Sequence, residues 1–68
     1  MRFTIECEQE EDGRWIAEVL ELPGVLVYGL TPEDARTKAR SLGLRVLADR
    51  IEQDEDSPAL MSISFAFA

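Results

Sequence analysis

The chain has 68 residues, with 14 acidic and 7 basic side chains, one cysteine, no histidine and a formal net charge of −7. That length allows one domain, residues 1–68, which buries only about 60% of the surface its unfolded form exposes. The composition excludes an internal disulfide and a Cys/His zinc site. It also argues against direct nucleic-acid binding, which needs a basic surface.

Residues 2–9, RFTIECEQ, alternate: Phe3, Ile5 and Cys7 point one way, and Arg2, Thr4, Glu6 and Glu8 the other. Period two with β-branched and aromatic members predicts a half-buried strand. A lone Cys7 in that pattern is a small core residue of a reduced protein. The alternation after Arg2 also differs from the continuous apolar run of a signal peptide. No segment is long enough to span a bilayer, and the expected location is cytoplasmic.

Glu10-Glu11-Asp12-Gly13 is a polar turn, with Asp-Gly a strong hairpin signal. Residues 14–20, RWIAEVL, form the return strand, with Trp15, Ala17 and Val19 on one face and Ile16, Glu18 and Leu20 on the other. Pro23-Gly24 is a second turn, because Pro sets φ and Gly tolerates φ > 0. The third strand, Val25 to Tyr28, is apolar on both faces. Its second face therefore invites a cover, from another subunit.

Thr31-Pro32-Glu33-Asp34 has the signature of a helix start. Thr caps, Pro suits the first helical position, and carboxylates in the first turn complement the helix dipole. The helix is expected from Pro32 to Ile51, with Ala35, Ala39, Leu42 and Val46 on one stripe. Leu44, Leu47, Ala48 and Ile51 lie roughly opposite. One core cannot bury both stripes, so this second group, together with Ile16, Leu20 and Leu26, is assigned to self-association as a dimer or a tetramer. Gly43 in the helix interior costs about 1 kcal/mol relative to Ala and suggests close packing. Residues 53–58, QDEDSP, form a loop, and Leu60 to Phe67 a last strand, with Met61, Ile63, Phe65 and Phe67 toward the core.

The expected fold class is α+β, with element order β-β-β-α-β. Two hairpin links and one helical crossover place the strands in spatial order 3-2-1-4, with the helix on one face.

The run DGRWIAEVLELPGVLVYGLTPEDA, from Asp12 to Ala35, resembles the N-terminal domain of HicB-type antitoxins. That family shows D-G-x-[WY]-x-A-x-x-x-x-L-P-G, then an apolar strand, a Gly, a Thr cap and an acidic helix start. Asp12, Gly13, Trp15, Ala17, Leu22, Pro23, Gly24, Gly29, Thr31, Glu33 and Ala35 match it. The resemblance implies a partial RNase H-like layer and a partner: a small basic, mRNA-cleaving toxin of the HicA kind. The DNA-binding domain that follows in full-length relatives has no counterpart after the fourth strand in these 68 residues.

An RNase H-like fold invites a search for metal-binding carboxylates, which must converge in threes or more. Only Glu6, Glu18 and Glu21 fall on predicted strands, where they are expected to be solvated strand residues. Without histidine there is no ordinary general base near neutral pH. The expectation is therefore no catalytic residue, no metal and no cofactor. The acidic residues fit a different task, imitating phosphate charge toward a basic partner. One lobe is Glu8, Glu10, Glu11 and Asp12 at the first hairpin; the other is Asp54, Glu55 and Asp56 after the helix. The competing reading is an orphan homo-oligomer with structural or regulatory work and no toxin, whose acidic turns serve solubility alone.

Overall fold

A computed structural model describes residues 1–53 and 57–68. Strand β1 (Arg2–Gln9) turns at Gly13, whose φ is +91°, into β2 (Trp15–Val19). A second turn with Gly24 at φ +92° leads to β3 (Leu26–Gly29). Both glycines occupy the left-handed region that other residues rarely adopt. Helix α1 (Pro32–Glu52) then crosses the sheet, and a short 3₁₀ turn (Pro58–Met61) precedes β4 (Ser64–Phe67). The sheet order is β3-β2-β1-β4, antiparallel except for the parallel β1–β4 pair. This is the α+β topology expected from the sequence.

The helix begins as its sequence dictates. Thr31 is extended, and its hydroxyl accepts from the Asp34 amide at 3.0 Å. Asp34 in turn pairs with Lys38 one turn on, at 3.1 Å. The Lys38 hydrogen bond holds the Asp34 carboxyl below its ordinary value against the opposing effect of desolvation, with a lesser contribution from the Leu30 amide.

One face of the sheet and one stripe of the helix make the core. Phe3, Ile5, Ala17, Val19, Leu22 and Val25 meet Ala35, Ala39 and Leu47, all at most 3% exposed. Gly29 is not simply a turn residue. It ends β3 beneath the helix, and a Cβ there would lie 2.5 Å from the Ala35 backbone nitrogen. Gly43 differs: a Cβ there would make only ordinary contacts with Phe65 and Val19, at 3.4–3.6 Å, so the close packing expected there is not a steric requirement.

Three sequence expectations need correction. Leu47 belongs to the core and not to an outward group: it is 2% exposed. The buried helix residues step by four, through Ala35, Ala39, Gly43 and Leu47, and each step rotates the stripe by about 40°. Over three steps that rotation carries the contact line around the helix, as a ridge of i, i+4 side chains crosses a twisted sheet. Leu42 and Val46 flank the stripe, half-buried.

The last strand is also shorter than its alternating pattern. Pro58 starts a 3₁₀ turn instead, and Met61 within it is 85% exposed. Phe65 does face the core, with its ring 5.6 Å from that of Phe3. Phe67 lies further out and is 59% exposed, with the Arg36 guanidinium 5.1 Å from its ring centre. The third correction is a one-residue shift of strand bounds: β3 runs Leu26–Gly29, and Val25 is buried just before it.

Candidate functional site

The helix covers one face of the sheet. On the other face, strand alternation and hairpin register bring together residues far apart in the sequence. In the β1–β2 ladder Glu6 stands directly opposite Glu18, and Glu8 opposite Ile16. In the β2–β3 ladder Glu18 is opposite Leu26, and Ile16 opposite Tyr28. Glu6, Glu8, Glu10, Ile16, Glu18 and Leu26 line one shallow hollow of about 300 Å³. Its wall is acidic and its floor includes two aliphatic side chains.

The register follows from the first hairpin. The Gly13 amide donates to the Glu10 carbonyl at 3.0 Å, and the Glu10 amide to the Arg14 carbonyl at 2.7 Å. That closure puts position 6 against position 18. Like charges directly opposite on neighbouring strands repel, so this arrangement opposes sheet stability.

The margins of the face are held by local bonds. At one end Glu21 accepts from both the amide (2.7 Å) and the hydroxyl (2.8 Å) of Thr4. The Thr4 amide bond is the main cause that lowers the Glu21 carboxyl below its ordinary value. At the other end Asp12 accepts from the Arg14 amide at 3.0 Å and its guanidinium at 2.7 Å. The amide bond first, then the guanidinium, holds the Asp12 carboxyl low. The Arg14 guanidinium also sits 4.3 Å over the Tyr28 ring. Asp12 and Glu21 are thus occupied by neighbours within the chain.

The expected hairpin lobe therefore divides. Glu8 and Glu10 line the hollow, Asp12 is committed to Arg14, and Glu11 sits exposed in the turn. Glu6 and Glu18, read from the sequence as solvated strand residues, are the pair at the centre. The alternation of β1 and β2 together with the Asp-Gly turn was the signal for that pair. The second expected lobe, Asp54, Glu55 and Asp56, lies outside the described residues.

Of the residues assigned to self-association, Leu20 (47%), Leu26 (45%), Leu44 (45%) and Ile51 (38%) are exposed, as is Ala48. Ile16 is half-buried on the open face, and Leu47 is in the core. Ile16 and Leu26 belong to the same hollow as the carboxylates, whereas Leu44, Ala48 and Ile51 lie on the helix.

Among the described residues, no group of three or more His, Cys, Asp or Glu side chains is placed to hold a metal ion. Nor is any described helix long and apolar enough to cross a membrane. The arrangement offers clustered carboxylates around an aliphatic floor, which suits cationic side chains with apolar stems, such as Arg and Lys. No family model, curated protein or solved structure matches the chain.

Proposed function

We propose that the chain is an antitoxin-type binding module of the HicB kind, acting in the cytoplasm. It neutralises a small basic, mRNA-cleaving toxin by direct contact, without chemistry of its own. The observation that carries this reading is the opposition of Glu6 and Glu18 on a sheet face that no other part of the described chain covers. A guanidinium or ammonium group entering between them would turn a repulsion into two attractions, so the energy withheld from folding is returned on binding. Carboxylates on a firm sheet imitate the phosphate charge that an RNA-cleaving partner binds. The motif from Asp12 to Ala35 supports the same reading by its resemblance to HicB.

The test is capture of partners from native lysate at low and moderate salt, followed by an RNA-cleavage assay of any small basic protein retained. The expected result is a basic ribonuclease that the native chain silences at stoichiometric ratio, with capture weakening as salt rises. A Glu6→Lys/Glu18→Lys double variant should lose the silencing while keeping its circular-dichroism spectrum. Retention of this chain alone would instead favour an orphan oligomer. Undiminished silencing by the double variant would move the contact off the open face.

A further inference from the structure

The two edges of the sheet are built differently. At the β3 edge, Tyr28 carries the Arg14 guanidinium, and the Asp34–Lys38 pair stands at the start of the overlying helix. Natural sheets use such edge charges to discourage strand addition. At the other edge lies β4, and residues 57–68, SPALMSISFAFA, contain no charged side chain in a chain that is 31% charged. Phe67 is 59% exposed on this strand, and the charge beside it comes from the helix, whose Arg36 guanidinium lies 5.1 Å from its ring centre.

The backbone of β4 is set for a further strand. The Ser64 amide donates to the Met1 carbonyl at 3.0 Å, and the Ala68 amide to the Ile5 carbonyl at 2.9 Å. Amides at 64 and 68 thus point at β1. Alternation then turns the amide and carbonyl groups of Phe65 and Phe67 to the free edge.

We infer that β4 pairs antiparallel with β4 of a second copy, about a two-fold axis at Ala66. In that register Phe65 faces Phe67 of the second copy, and Phe67 faces its Phe65. All four outward backbone groups of each strand are used, giving four hydrogen bonds across the axis. Ser64, Ala66 and Ala68 meet only small residues on the open face. The aromatic side chains pair on the helix side and extend the Phe3–Phe65 row across the junction. The sequence Ser-Phe-Ala-Phe-Ala satisfies an isologous contact, in which each residue meets its symmetry mate's complement. A second copy fits this edge, because the strand's own side chains add no like charge at the axis although the whole chain carries −7.

The pair makes a continuous eight-stranded sheet with both helices on one side. The two acidic hollows then share the opposite side and stay uncovered. This contact is independent of the proposed toxin reading and leaves that face free. It also differs from the assignment of self-association to Ile16, Leu20 and Leu26 or to the helix.

The test combines sedimentation with site-specific cross-linking on the full chain. Native protein should move from the 7.7 kDa monomer toward twice that mass as concentration rises. Phe67→Lys, at an exposed position, should weaken this association by more than about tenfold through like charges brought beside the axis. In a Cys7→Ala background, Ala66→Cys should form a disulfide dimer under mild oxidation, because residues on the axis face each other at about 4.5 Å between Cα atoms. Leu30→Cys, 82% exposed beside the other edge, reports random collision. Faster and fuller cross-linking at 66 than at 30, abolished by Phe67→Lys, is the expected outcome. A native chain that stays monomeric throughout, with Ala66→Cys no faster than Leu30→Cys, would overturn the inference. So would a dimer that survives Phe67→Lys and does not cross-link at 66.

Discussion

The two faces of this sheet are made by the same strands in the same register, yet they obey opposite rules. Under the helix, Phe3, Ile5, Ala17 and Val19 are at most 2% exposed and pack into one hydrophobic cluster. On the open side, the residues between them in sequence include Glu6 opposite Glu18 and Glu8 opposite Ile16. The covered face maximises burial. The open face keeps a repulsive carboxylate pair that a stability-driven sheet would replace with Thr or Val. The helix, meanwhile, carries Arg36, Lys38, Arg40, Arg45 and Arg50, five of the seven cations. Among the described residues, cations thus concentrate on the helix, while Glu6, Glu8, Glu10 and Glu18 gather on the open side of the sheet.

This contrast can be broken from the covered side with the largest effect. Ile5→Ala, at 0% exposure, should cost about 2–5 kcal/mol. A domain of this size has about 3–10 kcal/mol in total, so urea denaturation should show a marginal or unfolded variant. Next comes the helix–sheet approach at Gly29. The nearest atoms to an added Cβ are the Ala35 backbone nitrogen and Cα, at 2.5 and 2.8 Å. Backbone cannot yield as a flexible side chain does, so Gly29→Ala should cost about 1–3 kcal/mol in the same assay. The smallest change sharpens the contrast by its sign. Glu18→Gln removes the repulsion with Glu6 and should raise stability by a few tenths of a kcal/mol, measured at low salt. The gain should shrink as salt screens the pair. A loss of stability there would mean that the two carboxylates do not oppose each other.

Arg2–Gln9 was readable to its ends, because strict alternation stops at a turn with Asp12-Gly13. Thr31 and Pro32 marked the helix start by their own backbone chemistry. Leu47 was misplaced, because a stripe drawn on an ideal straight helix ignores the oblique path over a twisted sheet. Met61 was misplaced because Pro58 allows a 3₁₀ turn that alternation alone does not reveal. Phe67 follows the alternation but lies where the helix leaves the edge strand open. Of the hairpin carboxylates, Glu8 and Glu10 line the hollow, while Arg14 takes Asp12. Glu6 and Glu18 fall on the two strands of the first hairpin, and only their register shows that they stand opposite each other on the open face.

The sequence by itself determined the element order, the two left-handed turn glycines, the helix cap and the strand faces. These depend on interactions within a few residues, on φ preference and on period. It also excluded histidine chemistry and an internal disulfide, by composition alone. Tertiary structure decided which helix residues are buried, that Gly29 is a contact glycine, and that four separated glutamates share one hollow. It also decided where cations meet the two edge strands, Arg14 over Tyr28 and Arg36 over Phe67. Those outcomes depend on ladder register and on how a helix crosses a twisted sheet, which are distances between segments that no local pattern encodes.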